Sequence, residues 1–262
     1  MVSGIDRKYL LYEPVEMLEN EIKDCDAVIN LSGAPILQRW TRKNKKIIYN
    51  SRIQTTKRLV QAINNLKPEY RPGKFISASA IGIYKTGLTH DESSTNFDDG
   101  FLGKTVIDWE ESLIYVPKEV QMTIFRIGLV LGKNAITIKK LLPFFKYGLG
   151  GRISSGKQSF PFIHEKDVVR AFLLALENPD ITGVLNLVAP EKITNSVFTS
   201  ALAKKLNRPA FFMVPLFILK IIYGRAARLL TESPVIDPNA LIKAGFQFEH
   251  PTIDSALNEI LN

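Results

Sequence analysis

Short apolar runs that stop on small or hydrogen-bonding residues, each followed by an amphipathic stretch, constrain this chain more than any other feature. Ala27 to Leu31 stops at Ser32-Gly33, Lys74 to Ser79 closes on small residues, and Val120 to Leu131 passes through Arg126-Ile127-Gly128. Lys8 to Tyr12, ended by Pro14, supplies an earlier run and Gly183 to Val188 a last one. Runs of this length bounded by turn residues read as buried strands. Between them Thr41 can cap a long helix through Leu66, because Ile47, Ile48, Ile53, Leu59, Val60 and Ile63 recur near helical spacing. Pro68 to Gly73 breaks that helix, and further helical patterns carry Phe101, Trp109 and Leu113, then Ile136 to Tyr147, then Asp167 to Glu177. Such alternation implies right-handed crossovers and a mainly parallel sheet with helices on both faces, an α/β doubly wound fold. From Thr194 the pattern turns mostly helical, with Thr194, Asp237 (before Pro238) and Thr252 as expected N-caps.

Composition then excludes several function classes. The 262 residues are 45% hydrophobic and 23% charged, enough for a sizeable core and unlike disordered, collagen-like or coiled-coil chains. Cys25 is the one cysteine, and His90, His164 and His250 are scattered, so neither an internal disulfide nor a structural zinc site is expected. A reducing compartment fits, Met1 to Tyr12 lacks the progression of a signal peptide, and a cytoplasmic location is expected. Lys and Arg exceed Asp and Glu by 34 to 26, but the one dense run, Arg39 to Lys46, opens a helical pattern and reads as a solvated face. The charge is taken as background, with no nucleic-acid partner. Ala210 to Tyr223, interrupted by Pro215 and Lys220, falls short of the ~20 residues a spanning helix needs and reads as a buried or docking helix, with no membrane partner.

In open α/β sheets ligands bind beyond the carboxyl ends of the strands. Three strand ends qualify here: Asn30-Leu31-Ser32-Gly33, Ser77-Ala78-Ser79-Ala80 and Arg126-Ile127-Gly128. Each alone could be a turn; together they favour one site. Gly33 and Gly128 serve either a tight turn or the close approach of a dinucleotide, and Arg126 either a ligand or a surface ion pair. No Gly-x-Gly-x-x-Gly or Gly-x-x-Gly-x-x-Gly occurs in the chain. Gly151 to Lys157 matches the opening of a phosphate loop, but Gln158 stands where Ser or Thr would hold magnesium, so a flexible glycine loop beside a substrate cleft is the better reading. Gln158 and Phe160 are substrate-lining candidates by position. No Gly-x-Ser-x-Gly elbow is present, which disfavours a hydrolase.

Taken in order, Asp26-Ala-Val-Ile-Asn-Leu-Ser-Gly33, Phe75-Ile-Ser-Ala-Ser-Ala80, Phe125-Arg-Ile-Gly-Leu-Val-Leu-Gly132 and Phe162-Ile-His-Glu-Lys-Asp-Val168 resemble the successive landmarks of extended short-chain dehydrogenases/reductases. Arg39-Trp40, Ser51-Arg52, Gly148-Leu-Gly-Gly151, Ser155-Gly156 and Ala244-Gly-Phe246 narrow the resemblance to the atypical "epimerase family protein" branch, which ends in a helical domain of unknown function. The resemblance spans residues 8 to 262. It implies a Rossmann-like fold that binds NADP or NAD, with NADP favoured by the family alone.

Family members begin with a strand, a glycine-rich turn, a helix and a second strand, and Lys8 to Pro14 matches their third strand. The expectation is therefore a chain that starts after the pyrophosphate cradle, with an apolar sheet edge laid open. The expected domains are a truncated NAD(P)-binding Rossmann-like domain over 1–193 and a helical C-terminal domain over 194–262.

The family's usual chemistry uses a Tyr-x-x-x-Lys pair on a helix, and anchoring on Trp109-Glu110 puts those positions at Leu102 and Val106, neither of which moves a proton. Ser79 matches the family serine, against a satisfied strand-end hydroxyl. Tyr84 lies just beyond the same strand, as general acid or as packing, with Lys85 or Lys104 as its neighbouring cation. His164 and Asp167 either cap a helix and secure a turn or border the cofactor cleft. By resemblance the cofactor candidates are Asn30, Leu31, Ser32, Gly33, Ser77, Arg126, Gly128 and His164. The leading expectation is a nicotinamide-dependent oxidoreductase or epimerase-like protein acting on a small or nucleotide-linked substrate. The alternative is a non-catalytic nucleotide-binding regulator, matching the cell-division-inhibitor label some relatives carry. An exposed helix pair could build a homodimer.

Overall fold

The computed structural model describes residues 14–262, so the strand expected at Lys8 to Tyr12 lies outside the described residues. In chain order the strands are β1 (Ala27–Asn30), β2 (Lys74–Ala80), β3 (Thr89–His90), β4 (Gln121–Ile127), β5 (Leu129–Leu131), β6 (Gly151–Ile153), β7 (Phe162–His164), β8 (Gly183–Leu187), β9 (Phe212–Val214) and β10 (Val235–Ile236). The main sheet runs β1-β2-β4-β8, and every pairing in it is parallel. Its helices follow the expected alternation: α1 (Val15–Ile22), α2 (Arg42–Asn65), α3 (Phe101–Glu111), α4 (Ile136–Lys146) and α5 (Glu165–Glu177).

Alternation along each strand dictates which helix covers which face. Phe75 and Ile124 pack with Leu18 and Ile22 of α1 and Val60 and Ile63 of α2. Their neighbours Ile76 and Phe125 point the other way, onto Ala171, Phe172 and Ala175 of α5. Each such large side chain, buried on folding, contributes about 1.5–3 kcal/mol. The start of α2 is fixed as the sequence suggests, with the Thr41 hydroxyl accepting the Asn44 N–H at 3.2 Å.

Beyond Leu187 come α6 (Asn195–Lys205), α7 (Leu216–Tyr223), α8 (Arg228–Thr231), α9 (Asn239–Lys243) and α10 (Ile253–Leu261). One apolar cluster joins Phe198 and Leu202 of α6 and Ala256 and Leu257 of α10 to Leu131, Phe145 and Phe162. Thr194 and Thr252 cap α6 and α10 as expected, Thr252 through a reciprocal pair with Ser255.

Three sequence expectations are corrected, the first being Ala210 to Tyr223, which is not one helix but β9 followed, after Pro215, by α7. The run from Val120 to Leu131 is not one strand: β4 stops at Ile127, and β5 leaves the main sheet to pair with β7. The break falls at Gly128, where a Cβ would lie 2.6 Å from the Pro161 carbonyl oxygen and 2.7 Å from Val188 Cγ1. Asp237 is not a cap either, since α9 begins after Pro238 with no side-chain cap, and the Asp237 carboxylate pairs with Lys192 at 2.6 Å. Among the described residues no helix is long and apolar enough to cross a membrane.

Candidate functional site

Because β1, β2, β4 and β8 are adjacent and parallel, their carboxyl ends form one rim. Register places Ser77 beside Asn30, and Ser79 beside Arg126, which in turn pairs with Asn186 of β8. The three motifs singled out by sequence therefore meet on neighbouring strands. The rim has two halves of different character.

At the β1 end, the Asn30 side chain is buried and holds the following turn. Its amide donates to Thr56 Oγ1 at 2.9 Å, and its carbonyl oxygen accepts the Ser32 hydroxyl at 2.8 Å and the Ser32 N–H at 3.2 Å. Thr56 also accepts Trp109 Nε1–H at 2.9 Å, which ties β1, α2 and α3 together. Leu31 is 61% exposed and Gly33 is exposed, so the turn faces outward. Above Gly33 lies Arg52, close enough that a Cβ on the glycine would sit 2.9 Å from one guanidinium nitrogen.

Arg52 donates to the Ala34 and Ile48 carbonyls, each at 3.1 Å, and rests over the Trp109 ring at 5.4 Å. Ser51 beside it accepts the Ala34 N–H at 2.9 Å. Among the described residues no carboxylate pairs with Arg52, and burial pushes its pKa down to about 10. It is thus still cationic near neutral pH, and it has charge to offer an anion. By sequence Ser51-Arg52 is only a family mark; helix position alone hides that the side chain turns back to the β1 turn.

At the β2, β4 and β8 ends, the polar side chains satisfy one another. Ser79 donates to Glu110 Oε1 at 2.5 Å, and Glu110 takes Arg126 through two bonds of 2.9 and 2.6 Å. Arg126 donates at 2.8 Å to the Tyr84 hydroxyl, which donates at 2.8 Å to Asn186 Oδ1. The Asn186 amide donates to the Asp237 carbonyl at 3.0 Å. The chain is buried: Ser79, Tyr84, Arg126 and Asn186 are 5%, 1%, 5% and 0% exposed. Burial raises the Tyr84 phenol pKa, against the opposing charge and hydrogen bonds of Arg126 and the Asn186 bond. Burial also works against the Arg126 charge, but Glu110 and Tyr84 carry its pKa above the ordinary value.

The cation beside Tyr84 is thus Arg126, while Lys85 and Lys104 are exposed. Val106 is buried against Ile83 and Tyr84, and Leu102 is half-buried on the same helix. Glu110 and Asn186 were not among the sequence candidates. Glu110 carries a signal in hindsight, an acid one helical turn beyond Val106 on the helix that faces Ser79.

The other candidates are held mainly by their own neighbours. Ser77 is buried within β2, and its hydroxyl donates to the Ala78 carbonyl at 3.0 Å. Gly128 abuts protein, through Pro161 and Val188. His164 caps α5, its Nδ1 accepting the Lys166 N–H at 3.3 Å, and Asp167 accepts the Glu249 and His250 N–H groups at 2.7 and 3.0 Å. Gln158 donates to the Ile153 and Leu230 carbonyls at 3.1 and 2.9 Å, and its buried Oε1 has no partner among the described residues. Phe160 stacks on Phe198 with ring centroids 4.2 Å apart. A cavity of about 320 Å³ lies against Glu110 and Arg126, between α3 and the face of β4 rather than at the strand ends.

Comparison with known proteins fits this geometry. Residues 13–187 match the model of the NAD dependent epimerase/dehydratase family, and residues 214–260 match a domain of unknown function, DUF1731. The chain is 36% identical over 249 residues to an Arabidopsis thaliana relative, "Epimerase family protein SDR39U1 homolog, chloroplastic", covering 93% of this chain and 72% of the relative. It is 33% identical to human "Epimerase family protein SDR39U1", covering 94% and 85%. The solved structure of the human protein (isoform 2) with NADPH superposes with a TM-score of 0.89 at 32% identity, over 95% of this chain and 88% of that one. A Bacillus cereus UDP-glucuronic acid 4-epimerase in complex with NAD, at 17% identity and a TM-score of 0.72 over 95% of this chain and 77% of that one, shares the fold.

Proposed function

Since the chain belongs to the NAD dependent epimerase/dehydratase family, we propose that it binds NADP(H) or NAD(H) along the strand-end rim and acts as a nicotinamide-dependent oxidoreductase or epimerase-like protein. The substrate is a small or nucleotide-linked molecule. The observation that carries this reading is Arg52, a partly buried guanidinium with no carboxylate partner among the described residues, held over Gly33 at the mouth of an exposed turn. A phosphate-bearing ligand supplies the charge this corner lacks. Ser32 and Gly33 would line the approach, Asn30 would hold their turn, and Leu31 would offer an apolar surface. NADP is the preferred form, supported by the human relative solved with NADPH. The proposal places the cofactor-binding domain within 1–193, a helical domain over 194–262, and the protein in the cytoplasm.

When bound, the nicotinamide supplies a hydride acceptor or donor. The protein's part is orientation and proton handling. Ser79, already hydrogen-bonded to Glu110, would orient a substrate oxygen at the β2 end. Tyr84 would act as the acid by exchanging Asn186 for that oxygen, with Arg126 stabilising the phenolate left behind. Gln158, whose buried carbonyl oxygen lacks a partner among the described residues, would accept a substrate hydroxyl, and Phe160 would line the same side. Ser77 is committed to the Ala78 carbonyl, Gly128 to close packing against Pro161 and Val188, and His164 to the cap of α5, while Arg126 holds Glu110 and Tyr84.

Thermal unfolding with added NADPH, NADP, NADH or NAD tests the reading. A ligand at about 100 times its Kd adds about 2.7 kcal/mol and a measurable rise in Tm. A folded protein whose Tm none of the four moves would refute it.

A second reading has its own observation. By resemblance Leu102 and Val106 stand where the family carries its proton-moving pair, and the Tyr84 hydroxyl is already bonded on both sides. A regulator that binds nucleotide without turnover would be built this way. Ser79→Ala and Tyr84→Phe decide between the two: loss of turnover supports the enzyme, and unchanged biological activity with intact cofactor binding supports the regulator.

A further inference from the structure

We propose that the face formed by the end of α4, the β6–β9 pair and α7 docks the protein onto the surface of an anionic lipid bilayer.

The apolar part of this face is continuous. Phe144, Tyr147 and Leu149 at the end of α4 are 59%, 83% and 56% exposed. The chain then enters β6, which pairs with β9, where Phe211 just before it and Met213 are 91% and 51% exposed on one side of the pair and Phe212 is 55% exposed on the other. A Cβ on Gly148 would lie 3.6 Å from Pro209 Cγ, so the two segments close on each other. After Pro215, α7 turns Phe217, Ile218, Ile221 and Ile222 outward while Leu219 is buried. These four share one helix side, so α7 shows solvent the face that a docked helix would bury. Scattered apolar residues need no explanation, but a contiguous aromatic and aliphatic face does.

Charge identifies the occupant. Residues 120–164 and 192–231, which supply this whole face, contain seven Lys or Arg each and no Asp or Glu. The full chain has 34 Lys and Arg against 26 Asp and Glu, so everything outside these two segments carries 20 against 26 and is net acidic. Arg126, Lys192 and Arg228 pair with carboxylates from outside the two segments, which leaves eleven of the fourteen cations with no carboxylate partner among the described residues, so the positive charge is concentrated, not background. Lys146, Arg152, Arg208, Lys220 and Arg225 are all exposed, and among the described residues no carboxylate pairs with them. Arg152 stands in register with Met213, and Lys220 sits among the outward isoleucines of α7.

Apolar side chains ringed by cations suit an interface where acyl chains lie beneath anionic headgroups. A second copy docked face to face would bring unneutralised cations together, and a nucleic acid would have no use for an aliphatic helix face. The absence of a spanning helix among the described residues does not bear on adsorption, which needs only this shallow surface.

The test is vesicle flotation of the full chain, with phosphatidylcholine vesicles and phosphatidylcholine vesicles containing phosphatidylglycerol. The protein should float with the anionic vesicles and not with the neutral ones, and should release as salt rises. The triple variant Phe211→Ser, Phe217→Ser, Ile221→Ser should lose at least about tenfold in partitioning, because insertion depends on buried apolar area. The variant Lys146→Glu, Lys220→Glu should lose binding with its apolar face intact. Both should keep the wild-type Tm and cofactor-induced shift, which separates membrane docking from cofactor binding. No flotation with anionic vesicles overturns the proposal. So does a dimer by light scattering that the triple variant dissolves, or salt-sensitive duplex DNA binding that the triple variant leaves unchanged while flotation is absent.

Discussion

The two halves of the strand-end rim are built from similar residue types and solve opposite problems. At the ends of β2, β4 and β8, Ser79, Glu110, Arg126, Tyr84 and Asn186 bond to one another in an unbroken buried chain. At the end of β1, Arg52 is held by two backbone carbonyls and one indole ring, with no carboxylate among the described residues. Low dielectric strengthens a fully satisfied network and penalises an unsatisfied charge. The first half therefore commits its polar groups to the fold, and the second keeps one in reserve. Substitutions should separate the two: in the first half they should cost stability, in the second affinity.

The largest effect is expected at the Glu110–Arg126 pair, whose side chains are 13% and 6% exposed. Arg126→Ala leaves a buried carboxylate without its partner and should cost about 3–5 kcal/mol of unfolding free energy in urea titrations. A cost under about 1 kcal/mol would mean the pair is solvated and the contrast fails. Next, Arg52→Met keeps the stem over Trp109 and removes the charge. Its unfolding midpoint should stay close to wild type, while affinity for NADPH should fall by about 1.5–3 kcal/mol, the range for a charge-assisted hydrogen bond. Equal losses in both measurements would show Arg52 to be structural. Tyr84→Phe should then cost about 1–3 kcal/mol of stability, because Asn186 Oδ1 is left buried without its donor. Calorimetry on that variant, set beside its turnover, also shows how much of Tyr84 belongs to the fold.

Why the sequence revealed one half of this contrast better than the other is a matter of reach. Thr41, Thr194 and Thr252 could be read as caps because capping is settled within three or four residues. The parallel sheet could be read because apolar strands and amphipathic helices alternate along the chain. Asn30, Ser79 and Arg126 could be placed on one rim because strand ends in such a sheet share a side. The break at Gly128 could not be read, since it is imposed by Pro161 and Val188, which arrive from other elements. Nor could the Glu110–Arg126 pair, because an acid on a helix looks solvated until its neighbour strand is known. Asp237 resembles a cap before Pro238, but its place is set by His90, Asn186 and Lys192, all of which approach from elsewhere in the chain.

His164 is a third case, buried like the closed half of the rim but with a group left over like the open half. Its Nδ1 caps α5, whereas Nε2 is buried with no hydrogen-bond partner among the described residues, and the ring lies 4.1 Å from that of His250. Burial lowers the His164 pKa and His250 lowers it further, against the carboxylates of Glu165, Asp167 and Glu259. The unfolded chain, with an ordinary value near 6.5, therefore binds more protons than the folded one just below that pH. Stability should be complete above about pH 7 and decline as pH falls through 6.5 toward the lower folded value. His164→Asn retains an N-cap acceptor and removes the imidazole, so its Tm should vary less between about pH 7.5 and pH 5.5 than that of the wild type. The difference should be smaller than the effects expected at Arg126, Arg52 and Tyr84, because the shift arises from one partly compensated group. An unchanged slope would place the acid sensitivity elsewhere and return His164 to the closed half, as a cap and nothing more.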